Sequence, residues 1–218
     1  MELNKLKCYM LDCETRPDPK LEDIYLDNLK APGNIKDPEK IQAAMEKKLD
    51  EFHKEMAVDT DMCEIICVGV KVEDEEPQLM TLREFVDWYH TPVKASATDI
   101  SKRTNGWRKM ITFNGTAFDL VVMMKAAVKA GMEDFPYKDF KAMMDKYKGK
   151  DHHLDLMNEI SMVWGKNKSL DKYLQIYLGI KKTPIDFATA SVEEVKVHCT
   201  EDLLNSELLY KKFKPLFV

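Results

Sequence analysis

Three short segments far apart in the chain each bring carboxylates to a place where a fold must account for them. Asp12 and Glu14 lie in Leu-Asp-Cys-Glu-Thr, Asp119 in Phe-Asn-Gly-Thr-Ala-Phe-Asp, and Asp202 in His-Cys-Thr-Glu-Asp. The first segment reads as the end of a strand, the second as a strand-to-helix junction, the third as part of a last helix. A fold that brings all three to one sheet edge creates a nest of carboxylates that stays ionised only beside cations. Hard divalent ions that prefer oxygen ligands, Mg²⁺ or Mn²⁺, satisfy such a nest.

Local geometry supports that reading. Asp12 and Glu14 are two apart on a strand, so both side chains leave one face and Cys13 points to the other. Asp119 follows a strand and sits in the first turns of a helix, near the positive end of its dipole. That places it at the C-terminal edge of a sheet, where α/β folds build sites. His198 and Asp202 are four apart on a helix and share a face.

The rest of the chain reads as one domain, 1–218, of 218 residues. Charged residues make up 33% and hydrophobic ones 44%, the balance of a soluble globular protein rather than a disordered one. A net charge of −5 excludes a global basic field for gripping long duplexes. Holding one strand end, with metals supplying the positive charge, is compatible with it. Five cysteines without metal-type pairing predict free thiols in a reducing, cytoplasmic setting. No signal peptide and no membrane span is visible.

Residues 6–12 and 64–73 read as strands, with 78–82 as a hairpin partner and 109–114 as a further strand closed by Asn114-Gly115. Between the first two strands, residues 16–60 read as a helical insertion or flap, with Lys/Glu spacing from 38 to 56 that fits a solvated helix packed on one side, a substrate-covering role being the alternative. Helices are expected over 116–130, over 170–178 after a Ser169 cap, and from Ser191 to about Phe213 with Glu194 in capping-box register. Residues 138–182 carry ten lysines against six acids, a locally basic stretch. His152 and His153 in it read as a solvated pair. Gly165 to Ser169 reads as a capped loop with backbone donors that could meet a phosphate. Trp107, beside Arg108 and Lys109, reads as packing at a strand start.

The three acidic segments, in this order, resemble the motifs of the DEDD, or DnaQ-like, superfamily of 3′–5′ exonucleases. The Asn-Gly-x-x-Phe-Asp form is most similar to the proofreading exonucleases of family-B polymerases and their stand-alone relatives. Asp155 in His-Leu-Asp-Leu and the Lys-Ser-Leu-Asp-Lys-Tyr-Leu helix also fit that branch. The third motif of the superfamily has a His five residues before the Asp or a Tyr four before it. Here His198 stands four before Asp202, the tyrosine-type spacing with the histidine-type residue.

The resemblance implies a ribonuclease-H-like α/β fold, a central mixed sheet with flanking helices. It implies that Asp12, Glu14, Asp119 and Asp202 hold two Mg²⁺ or Mn²⁺ ions and that His198 is the general base. Thr15, Asn114 and Phe118 would meet the substrate, Thr15 through its backbone N–H or hydroxyl and Phe118 by stacking on a base, with core packing as its alternative. Asp155 is expected to be structural. The implied substrate is the 3′ end of single-stranded DNA or RNA, with a separate DNA polymerase as a possible partner. Three rivals remain: a catalytically silent binding module of the same fold, an endonuclease, and a haloacid-dehalogenase-type phosphatase. The last is disfavoured because the second acid is Glu and no late Asp-Asp pair follows.

Overall fold

The computed structural model describes residues 8–26, 30, 33–34, 36–91, 109–145, 152–161, 165–187 and 189–217. Trp107 and Arg108 lie outside the described residues. A first strand, β1 (Cys8–Pro17), leads through a 3₁₀ turn into a short α1 (Glu22–Leu26) and a long α2 (Pro38–Val58). The antiparallel pair β2 (Cys63–Val72) and β3 (Gln78–Met80) follows, then α3 (Leu82–His90), β4 (Lys109–Thr112), α4 (Asp119–Lys129) and α5 (Tyr137–Met144). The remainder is β5 (His153–Asp155), α6 (Leu156–Ser161), α7 (Leu170–Leu178) and α8 (Val192–Phe213).

The sheet has the order β3-β2-β1-β4-β5. β1 lies in its middle, antiparallel to β2 and parallel to β4, which is parallel to β5. Alternation along β1 sorts side chains between two cores. Tyr9, Leu11 and Cys13 join Val68, Val70 and Met110 against α3, α4 and α5, where Phe85, Leu120, Met123 and Phe140 are sealed from solvent. Met10 and Ile111 turn to the opposite face, against α6, α7 and α8. Burial of each such side chain contributes roughly 1.5–3 kcal/mol. Helices therefore cover both faces, and the mixed α/β sheet expected from the sequence is the observed one.

Helix ends follow local chemistry. Ser191 and Glu194 form a reciprocal capping box that starts α8, and Thr81 and Glu84 do the same for α3. Ser169 caps α7, and Gly179 closes it with φ +69°. Pro38, after the Asp37 cap, opens α2, whose buried residues Met56 and Ala57 sit at its far end against β1. The helix inside the 16–60 segment is thus present, mostly solvated, as its Lys/Glu spacing predicts.

Two expectations need correction. The helix expected from Thr116 begins instead at Asp119, because residues 114–118 form a turn. There Asn114 has φ +66°, and side chains rather than helical carbonyls take the N–H groups of residues 114 to 116. His153 is not solvated: it is 6% exposed, because its place in β5 opposite Met110 turns it inward. Its ring nitrogens meet the Thr112 hydroxyl at 2.8 Å and the Met143 carbonyl at 3.2 Å, and burial holds its pKa below the ordinary histidine value.

Candidate active site

The site begins in the middle of β1, which runs past both acids to Pro17 instead of ending at the first of them, as expected from the sequence, because β2 stays paired with it through Pro17. Asp12 pairs across to Gly69 and Glu14 to Cys67, and the register slips between Glu14 and Thr15. Such a bulge bends a strand and re-aims side chains beside it. Glu14 is 7% exposed although it is a carboxylate. Gly69 decides what can face these two acids. A Cβ there would come within 2.6 Å of Cys199 Sγ and 2.8 Å of Leu203 Cδ1, so the missing side chain is what lets α8 lie directly on β2. A buried ion pair of 3.1 Å between Lys71 and Glu207 fixes the same contact further along.

On α8 the turn facing the sheet presents His198, Cys199 and Asp202. One ligand atom each from Asp12, Glu14 and Cys199 lie within 4.8 Å of one another, and so do those of Glu14, His198 and Asp202. Glu14 is the member common to both groups. His198 Nε2 stands 3.8 Å from Asp202 Oδ2. Lys182, from the segment between α7 and α8, places its Nζ 2.5 Å from the same Asp202 oxygen and 3.5 Å from His198 Nε2.

Asp119 approaches from the other side of the sheet edge. It is the first residue of α4, 3% exposed, and its Oδ1 accepts a hydrogen bond of 2.9 Å from the Cys13 backbone N–H. Asp155 holds the preceding turn in place. Its Oδ1 accepts from the N–H groups of Asn114 and Met157 at 3.0 and 3.1 Å, and its Oδ2 from that of Thr116 at 3.0 Å. The structural role expected for Asp155 is the observed one. Gly115 completes the turn under the Thr112 side chain, where a Cβ would sit 2.3 Å from the hydroxyl oxygen.

Electrostatically, the nest resists ionisation. Burial first, then the neighbouring acids Glu14, Asp119 and Asp202, push Asp12 well above its ordinary value. Burial, then Asp202, raise Glu14 from 4.5 to about 8. Burial raises Asp119 to about 6, against the hydrogen bond from Cys13 that favours its charged form. Lys182 lowers both Asp12 and Glu14 without reversing either shift. Burial also depresses His198, with Asp202 acting upward and Lys182 downward, so the imidazole stays neutral at neutral pH.

The donor set fits divalent cations. Asp12 Oδ2 and Asp202 Oδ1 are buried without a hydrogen-bond partner. A buried carboxylate oxygen left without a partner carries a large desolvation cost. Two such atoms, on a strand and on the helix packed over it, are what a cation bound between those elements removes. The donors are mainly carboxylate oxygens, as Mg²⁺ and Mn²⁺ require, with the buried Cys199 thiol and the half-buried His198 imidazole beside them.

Of the residues expected to meet substrate, the Thr15 hydroxyl is otherwise engaged. It donates to the Ala57 carbonyl at 2.6 Å in a residue 6% exposed, because the β1 bulge turns it toward the end of α2. Phe118 is half-buried and packed against the core formed with α3, α4 and α5, while Asn114 is half-buried in the turn. Two residues that the structure brings to this cluster escape sequence reading. Lys182 sits in a non-periodic segment and carries no motif, and Cys199 looks like an ordinary helix residue until Gly69 is placed opposite it. The glycine inside a strongly apolar strand was the available signal.

Comparisons with known proteins follow this geometry. Residues 57–216 match a family described as predicted 3′–5′ exonuclease related to the exonuclease domain of PolB. The fold is similar to that in the structure of the family B DNA polymerase from the hyperthermophilic archaeon Pyrobaculum calidifontis, with a TM-score of 0.52 and 15% sequence identity. That likeness covers 96% of this chain and 25% of the polymerase, so the chain spans about a quarter of that protein's length. No curated protein matches the sequence.

Proposed function

This chain belongs to the family of predicted 3′–5′ exonucleases related to the exonuclease domain of PolB, and from that premise we propose that it removes nucleoside monophosphates from the 3′ end of single-stranded DNA. Asp12, Glu14, Asp119 and Asp202 would hold two Mg²⁺ or Mn²⁺ ions. The observation that carries the reading is the pair of orphaned buried oxygens, Asp12 Oδ2 and Asp202 Oδ1. Without cations they are a standing cost to the fold. Held there, divalent ions would supply Lewis acidity and would neutralise charge developing on the phosphate.

The chain's own groups do the remaining work. His198, held neutral by burial, accepts the proton of the attacking water at Nε2. Asp119 fixes the middle of β1 through the Cys13 N–H, which keeps Asp12 and Glu14 pointed at α8. Lys182 balances Asp202 when no cation is present and must release it when one binds. Phe118 and the Asn114 turn border the place where the terminal nucleotide lies.

A second reading has its own observation. His198 lies within ligand distance of Glu14 and Asp202, so it could be a metal ligand rather than the base. The two separate cleanly, since His198→Ala slows cleavage with metal affinity retained if it is the base, and abolishes binding if it is a ligand. The overall test is digestion of 5′-labelled single-stranded DNA and RNA with Mg²⁺, Mn²⁺ or EDTA, beside Asp119→Ala. A metal-dependent ladder from the 3′ end, absent in the variant, is expected. Internal fragments would indicate an endonuclease, and binding without cleavage a silent module.

A further inference from the structure

Beside the carboxylate site lies a cavity of about 310 Å³. It opens to solvent and is lined by the end of β1, the first residues after it, the C-terminal part of α2, and Phe187. Seven of its eight lining residues precede residue 57, where the family match begins. These seven come from the end of β1, the turn and short helix after it, and α2. Phe187 is the exception and is also the link to the site: its ring meets that of His198 edge to face, with centroids 5.5 Å apart. One aromatic ring separates the cavity from the proposed base.

The lining says what chemistry fits. Two prolines, the buried Met56 and the Phe187 ring make apolar walls. Its charged groups are already engaged: Arg16 Nε bonds Glu64 at 2.6 Å, and His53 Nε2 meets Glu22 at 3.2 Å. Asp18 accepts from the Lys20 backbone N–H at 3.1 Å. With two carboxylates, Asp18 and Glu22, against one paired guanidinium, the cavity repels a phosphate. A neutral ring with polar edges suits it, since an aromatic wall can stack and the His53–Glu22 pair offers hydrogen-bonding atoms at the rim. The volume, at the small end of ligand pockets (~300–1,000 Å³), has room for one ring system rather than a stacked pair.

We infer that this cavity receives a single nucleobase of the substrate strand, stacked on Phe187, while the strand's backbone runs past His198 to the carboxylates. The inference rests on the exonuclease reading and adds to it a base-holding subsite made by the segment after β1. It makes Phe187 a positioning residue, ordering the nucleotide on one side and the His198 ring on the other.

The test uses the full chain and two probes. A 5′-fluorescein single-stranded oligonucleotide, abasic at one position at a time, reports affinity by anisotropy with Ca²⁺ in place of the catalytic ion. Bis(p-nitrophenyl) phosphate reports metal-dependent phosphodiester hydrolysis without any base. The abasic scan should show one position near the 3′ end where affinity falls about tenfold, the loss of one stacked base. Pro19→Trp, at an exposed residue whose new side chain fills the cavity, should weaken oligonucleotide binding similarly. It should also erase the abasic effect and leave bis(p-nitrophenyl) phosphate hydrolysis unchanged. Phe187→Ala should reproduce the binding loss. A flat scan, or Pro19→Trp binding as tightly as wild type, overturns the subsite while leaving the exonuclease reading intact. Hydrolysis of neither oligonucleotide nor small diester by the wild type refutes the exonuclease reading instead, and the binding scan still decides the cavity.

Discussion

Glu14 provides a quantitative test of the buried nest. In the metal-free protein its carboxyl is raised from 4.5 to about 8, first by burial and then by Asp202. Between those values the folded state holds a proton that the unfolded chain has lost, so stability falls as pH rises. At 1.36 kcal/mol per pKa unit, Glu14 alone costs the fold on the order of 2–3 kcal/mol between pH 5 and pH 7. For a chain of this size that corresponds to a Tm decrease of roughly 5–10 °C. His153 and His198, both depressed by burial, act in the opposite direction over part of the range, because the unfolded state then binds the extra proton. The informative quantity is therefore the difference between wild type and Glu14→Gln, which lacks this titration. Thermal unfolding in EDTA from pH 5 to 7 should show wild type losing stability relative to the variant by that amount. Saturating Mn²⁺ should reverse the trend for wild type, since cations bind the ionised form. Parallel Tm–pH curves for the two proteins in EDTA would refute the reasoning.

Three further substitutions probe separate parts of the scaffold. Gly69→Ala forces a methyl against Cys199 and Leu203 and should destabilise by about 1–3 kcal/mol in urea denaturation, with Mn²⁺ affinity falling because α8 carries His198 and Asp202. Asp155→Ala strands several backbone donors of the 114–118 turn and should cost roughly 3 kcal/mol or more by the same measurement. Lys182→Met removes the ammonium that competes for Asp202. Calorimetric titration should show about tenfold tighter Mn²⁺ binding, and thermal unfolding a lower Tm without metal.

What the sequence made legible and what it hid differ in physical kind. Asp12 and Glu14 announce themselves because a two-residue spacing on a strand fixes their shared face whatever else the chain does. His198 and Asp202 follow from helical spacing in the same way, and α2, α7 and α8 are readable from caps and periodicity. Hidden features depend on tertiary pairing. His153 is buried only because β5 docks beside β4, and Lys182 reaches Asp202 from a segment without periodicity. α4 starts at Asp119 rather than Thr116 because Asp155, 41 residues beyond Asn114, captures N–H groups of the preceding turn. Among the described residues no helix is long and apolar enough to cross a membrane.

Anomalous diffraction from crystals grown with Mn²⁺ decides whether strand and helix carboxylates share cations. Peaks should lie between β1 and α8, within bonding distance of Asp12 Oδ2 and Asp202 Oδ1, with Lys182 Nζ displaced from Asp202. No peak there at saturating Mn²⁺, with Lys182 still on Asp202, would contradict the assignment of this nest as a metal centre.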